Sequence, residues 1–269
     1  MASIIGVGDN TVDRYLHLGK MFPGGNAVNV PVLAHRAGHP AAYIGWLAED
    51  RLGRLVYSAL IQEGVDISHC RLVEGRNAYC NIHLVKGERV FGDYSEGVCD
   101  QISLKSEDFD FISSFDITHT SIYSYIDPQL EKLKTFSNWL SYDFSQEWDE
   151  EIFKKTLPFV DIAVFSSPNQ DNRETRDLME WCAGIGPRII LATRGEKGAL
   201  LFDGKIFYKQ TVVEAPNVVD TLGAGDAFIA RFMVDFIDGI SIQESLANAS
   251  EEAARTCTYY GAFGHGQDM

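Results

Sequence analysis

Five apolar runs separated by amphipathic stretches constrain this chain more than any other feature. SIIGVG at 3–8, AAYIGWL at 41–47, FDITHTS at 115–121, DIAVFSS at 161–167 and RIILAT at 188–193 read as strands buried on both faces. Between several of them, segments 26–37, 53–63, 128–140 and 171–183 place apolar residues at helical spacing. This alternation predicts an α/β fold: a doubly wound, mostly parallel sheet flanked by helices. Segments 12–21 and 75–96 break the pattern with shorter, more polar alternation, and Lys86-Gly87-Glu88 reads as a turn within the second. They predict a small antiparallel β lid over an α/β domain made of residues 1–11, 22–74 and 97–269.

Charge narrows the possible partners. Twenty-three basic residues against 38 acidic ones give a formal charge of -15, which repels nucleic acid and anionic membrane. A phosphate-bearing ligand is still admissible, because backbone N–H groups and a divalent cation can hold it without a basic surface. No run approaches the ~18 apolar residues of a membrane span. MASIIGVGDN lacks a basic flank and reads as a first strand, not a secretory signal. Cys70, Cys80, Cys99, Cys182 and Cys257 are odd in number and widely scattered, which fits neither a disulfide framework nor a zinc site. A cytoplasmic location is expected.

The chemistry concentrates in VVDTLGAGDAFIARFMVDFIDG at 218–239. Gly223, Ala224 and Gly225 lead into Asp226 and an apolar helix. Small residues admit a ligand to the backbone, and a helix's first N–H groups have no internal acceptor, so they form an anion site. A carboxylate beside that site suits phosphoryl transfer to a hydroxyl: Asp226 takes the proton while the N–H groups hold the charge of the moving group. The plainer alternative is an ordinary strand-to-helix turn with Asp226 as a capping carboxylate.

DTLGAGDAF resembles the C-terminal signature of the PfkB/ribokinase family of sugar and nucleoside kinases, and PGGNAVNVPVLAHRAG at 23–38 resembles its N-terminal signature. The resemblance extends through GDNTVD, LATRGEKGALLF at 191–202 and YYGAFG, essentially the whole chain. It implies a ribokinase-like fold, ATP with magnesium, Asp226 as base and Gly223–Gly225 as anion hole. By the same resemblance Asp13, Gly24, Gly25 and Asn29 contact the acceptor sugar. Asp13 could equally be a turn carboxylate, and Asn29 a helix cap. Thr193, Gly195 and Gly198 would meet the nucleotide phosphates, although their spacing alone fits a hairpin turn. Asn248 would line the adenine pocket, Asn169 would help position magnesium, and the Asp220–Thr221 loop would hold potassium. A lid serves such an enzyme by excluding water from the donor. Relatives often pair through their lids, so a homodimer is allowed. RVFGDYSEGV at 89–98 and YDFSQEWD further resemble the fructoselysine 6-kinase branch, which acts on fructose joined to an amine. That likeness makes Arg89, Asp93 and Tyr94 candidate substrate contacts, with a solvated lid surface as the alternative.

Four positions depart from the family pattern. Asn172 stands where Asn-x-x-Glu would have its Glu, with Asp171 and Glu174 nearby, and Ala48 replaces a usual Gly. Pro31 belongs in a first helical turn, so the helix there should begin near Val28 or Asn29. Arg231, about 140° around the helix from Asp226, should pair with Asp235 on an outer face. GVGDN lacks the third Gly of a dinucleotide fingerprint, since Thr11 occupies that position. The histidines show no metal spacing, and His119 reads as a satisfied core or rim residue.

Overall fold

The computed structural model describes residues 1–85 and 88–269, apart from the side chains at 84–89. An eight-stranded sheet runs through its centre. Six strands are parallel, in the spatial order Ala41–Ile44, Ile4–Val7, Ile117–Ser121, Trp139–Asp143, Ile162–Ser166 and Ile189–Thr193. Ala199–Phe202 and Phe207–Gln210 extend it antiparallel. Both faces are covered, which is why the parallel strands carry apolar residues continuously. Helices Asn26–Arg36, Arg51–Glu63, Ala224–Ile237 and Ile242–Thr256 pack on one face. Ser106–Ile112, Leu130–Phe136, Glu150–Thr156 and Asn172–Ala183 pack on the other. The fold is therefore the doubly wound α/β architecture. Strand order reverses at Ile4–Val7, which opens a crevice at the carboxyl ends of the strands.

The periodic reading of 128–140 as one helix needs correction. The helix stops at Phe136, and Trp139–Asp143 is a central strand. Leu130, Leu133, Phe136 and Leu140 keep helical spacing across the break, so the pattern hides it. The run at 41–47 also divides, at Gly45: Ala41–Ile44 joins the main sheet, while Trp46–Ala48 pairs with Arg71–Val73.

A second sheet comprises, in order, Gln267–Asp268, Lys20–Gly24, Thr11–Tyr15, Tyr79–Val85 and Glu88–Ser95. It is mixed, not purely antiparallel, because Thr11–Tyr15 and Tyr79–Val85 run parallel. Its second strand continues to Gly24, beyond residue 21, and the chain's last residues add an edge. Of the expected turn, Lys86 and Gly87 lie outside the described residues. Tyr15 Oη donates to Asp220, tying this sheet to the loop before the Ala224–Ile237 helix.

Pro31 does not mark a helix start. The helix begins at Asn26 and Pro31 lies within it. Proline has no N–H for the carbonyl four residues back, which is that of Ala27. That carbonyl instead faces Gly6, where a Cβ would sit 1.9 Å from Ala27 O and 2.8 Å from Pro31 Cγ. The missing side chain at Gly6 lets this helix descend onto the first strand.

Candidate active site

Asp226 stands in the first turn of Ala224–Ile237, behind Gly223 at φ 79°. That left-handed backbone favours glycine, and a Cβ there would also lie 2.5 Å from Ala262 Cβ. Ala224 N–H turns back to Thr221 O at 3.3 Å, so the three small residues do not contribute equally. The N–H groups of Gly225 and Asp226 carry no acceptor among the described residues. A Cβ on Gly225 would meet nothing within 4 Å, so the space beside this residue is open. An anion can approach there without displacing protein.

Two amides hold the Asp226 carboxylate. Asn29 Nδ2 donates to Oδ2 at 2.6 Å, and Asn26 Nδ2 donates to Oδ1 at 3.0 Å. The same Asn26 nitrogen reaches Asp143 Oδ2 at 2.8 Å. Asn26 Oδ1 meets His119 Nε2 at 2.7 Å, and His119 Nδ1 meets Ser141 Oγ at 3.0 Å. Asp9 lies alongside, its Oδ1 accepting from Ser124 Oγ at 2.7 Å and Ser121 Oγ at 2.9 Å. Burial pushes the Asp226 carboxyl up to about 7, the charges of Asp143 and Asp9 add to the rise, and the two amides oppose it. Burial likewise raises Asp143 to about 6. A carboxyl poised near neutrality beside open N–H groups can accept a proton while an anion is held next to it.

Four of the residues expected at the acceptor, Asp13, Gly24, Gly25 and Asn29, lie near this point. A Cβ on Gly24 would come 2.6 Å from Asp13 Oδ2 and 3.8 Å from Asn29 Oδ1, so Asp13, Gly24 and Asn29 share one corner. Asn29 Oδ1 is buried without a hydrogen-bond partner, an acceptor that a sugar hydroxyl would satisfy. Gly25, at φ 109°, lies against Asn10 and Asp9. Asp93 and Tyr94 are exposed on the edge strand of the second sheet, and the Arg89 side chain lies outside the described residues.

The donor-side residues are more dispersed. Thr193 shares a 2.9 Å hydrogen bond with Ser166, and Gly195 and Gly198 form a tight turn between antiparallel strands. Asn169 is exposed on the neighbouring loop. Asp171 and Glu174 are committed to a reciprocal cap of the Asn172–Ala183 helix, and the Asn172 side chain accepts from buried Arg194. No cluster of three metal-ligating side chains occurs among the described residues, so magnesium would depend on nucleotide phosphates for most of its ligands. Asn248 donates one amide N–H to buried Asp235 at 2.7 Å, which leaves its second N–H and its carbonyl for a nucleotide. Arg231 does pair with Asp235, at 2.9 Å, but in the seam between the last two helices and not on an outer face. The Asp220 carboxylate accepts from Tyr15, Gly261 N and Leu222 N, and Thr221 is exposed.

Asn26, His119, Asp143 and Asp9 are the site residues that sequence reasoning missed. Asn26 stands within the N-terminal signature and was open to notice. Asp9 and Asp143 stand within GDNTVD and YDFSQEWD, whereas His119 carries no local spacing signal: its partners Ser141 and Asn26 are 22 and 93 residues away from it.

A mostly parallel sheet with a carboxylate and open amides at its crevice describes an α/β phosphotransferase. The profile of pfkB family carbohydrate kinases matches residues 5–135 and 161–265. The chain is 36% identical over 264 residues to the fructoselysine 6-kinase of Escherichia coli (strain K12), covering 98% of this chain and 100% of the relative. It is 37% identical over 267 residues to the fructosamine kinase FrlD of Bacillus subtilis (strain 168), covering 98% and 93%. The solved structure of Arabidopsis thaliana ribokinase complexed with ribose and ATP superposes with a TM-score of 0.82 at 22% identity, covering 100% of this chain and 96% of the other. The protein belongs to the pfkB family of carbohydrate kinases and is an ATP-dependent sugar phosphotransferase. No helix among the described residues is long and apolar enough to cross a membrane.

Proposed function

We propose that this kinase phosphorylates a fructosamine, fructoselysine or a close analogue, at the 6-position, with Asp226 as general base. The observation that carries the reading is the Asp226 carboxyl, raised to about 7 and held by Asn26 and Asn29 beside the open amides of Gly225 and Asp226. Asp226 takes the proton of the acceptor's primary hydroxyl as its oxygen attacks the γ-phosphoryl group, and the amides meet the charge on the moving group. Asp13 and Asn29 Oδ1 receive sugar hydroxyls. Asp93 reaches the amine-bearing end, where negative charge favours a cation. The Gly195–Gly198 turn meets the nucleotide phosphates, and Asn169 would help hold magnesium, which would supply neutralising positive charge there. Two relatives named for fructoselysine and fructosamine, similar over almost their whole length, support the choice of acceptor.

ADP release from magnesium-ATP, measured with fructoselysine, fructose, 2-keto-3-deoxygluconate and adenosine in parallel, tests the proposal. Turnover greatest with fructoselysine is expected. Turnover confined to another acceptor would overturn the fructosamine assignment and leave the kinase chemistry standing.

A further inference from the structure

His119 lies in strand Ile117–Ser121, fully buried, with Gly6 and Ser141 as its register neighbours on the adjoining strands. Burial pushes its pKa down to about 3, so the ring is neutral and carries one N–H. Asn26 turns its Nδ2 to Asp143 and Asp226, which leaves its Oδ1 facing His119 and in need of a donor. His119 Nε2–H supplies it, and Nδ1 then accepts the Ser141 hydroxyl. This chain of bonds permits one arrangement of protons. The absence of a side chain at Gly6 makes it possible, because it brings the helix beginning at Asn26 onto the sheet.

We infer that His119 is a positioning residue: it orients the Asn26 amide, and through that amide it controls how readily Asp226 gives up its proton. The inference rests on Asp226 acting as the base and adds what holds that base in its working state. Without a donor at the Nε2 position, Asn26 either turns its oxygen toward two carboxylates or keeps that oxygen buried without a partner. The first outcome removes the bond that stabilises ionised Asp226, and the second takes away what keeps the amide from turning to it. The groups facing Asp226 are the carboxylates of Asp143 and Asp9, which raise its pKa, and the amides of Asn29 and Asn26, which lower it. Arg231, on the same helix, is engaged by Asp235.

The test compares His119→Met, which has no donor, with His119→Gln, whose amide nitrogen can stand where Nε2 does. The readout is the pH profile of acceptor kcat/KM. The Met variant should move the acidic limb up by about one pH unit and lower kcat/KM at pH 7 by roughly fivefold. KM for ATP should be unchanged, and the Gln variant should follow the wild type. A Met variant that unfolds cooperatively and keeps the wild-type limb would reduce His119 to a packing residue. Should Met not fold, His119→Asn, too short to reach Asn26, takes its place, and identical limbs for Asn and Gln would overturn the inference. Asp226→Asn measured alongside separates the two readings: wild-type turnover in that variant removes the base itself, whatever His119 does.

Discussion

Replacing Asp143 with Asn should shift the acidic limb of acceptor kcat/KM in the opposite direction, to lower pH. One Asn26 nitrogen reaches Asp143 Oδ2 at 2.8 Å and Asp226 Oδ1 at 3.0 Å, so the two carboxylate oxygens lie within about 6 Å of each other. Two unit charges ~6 Å apart repel by roughly 3 kcal/mol at an effective dielectric constant of about 20. Solvent reaching Asp226 reduces this, which leaves a shift of about 1–2 pH units. The sign follows from the chemistry: a charged Asp143 disfavours ionised Asp226 and raises its pKa, so removing that charge lowers it. Asp143 itself is raised only to about 6, so it is mostly ionised where Asp226 titrates near 7. Initial rates of ADP formation at subsaturating acceptor, from pH 5 to 9, report the free enzyme and so match this structure. A limb that stays in place, or that moves up, would refute the electrostatic coupling.

Three further outcomes follow from the same geometry. Gly225→Ala should leave thermal stability within about 0.5 kcal/mol of the wild type, because its Cβ meets no protein atom within 4 Å. Its turnover should nevertheless fall at least ~10-fold, since the methyl group occupies the approach to the open amides. Gly6→Ala should destabilise the fold by ~3 kcal/mol or more in urea titration, because its Cβ would lie 1.9 Å from Ala27 O. Asp226→Asn should flatten the dependence of stability on pH. Asp226 titrates near 7 in the folded state and near 3.9 in the unfolded state, so folded protein holds the extra proton and stability falls as pH rises between these values. The variant loses that fall, which melting curves from pH 4 to 8 would report.

The architecture was legible because parallel strands buried on both faces leave continuous apolar runs, and five of the six announce themselves this way. Trp139–Asp143 did not, because Leu130, Leu133, Phe136 and Leu140 keep helical spacing across the break at Ser137 and Asn138. Overlooking that strand also concealed Asp143, which sits at its carboxyl end. Asp226 and the small residues before it were readable because a helix start writes its chemistry into consecutive positions. The amide network around Asp226 is different in kind. Asn26, His119 and Ser141 come from one helix and two strands, brought together by the sheet register of Ser141 opposite His119 and by the close approach of the helix over Gly6. Pro31 misled for a related reason: whether a helix tolerates proline depends on what faces the freed carbonyl, here Gly6. The residues expected on the donor side rest on family likeness, and the structure gives one Asn248 N–H and the Asp220 carboxylate internal partners.

Turnover of Asp226→Asn tests the central claim most directly. The substitution keeps the side chain's size and removes its capacity as a base, while the open amides of the helix start remain. With saturating magnesium-ATP and whichever acceptor the wild type uses, kcat should fall by about 10²–10⁴, with KM for ATP little changed. A variant that turns over at close to the wild-type rate would contradict the account, because proton removal would then belong to another group.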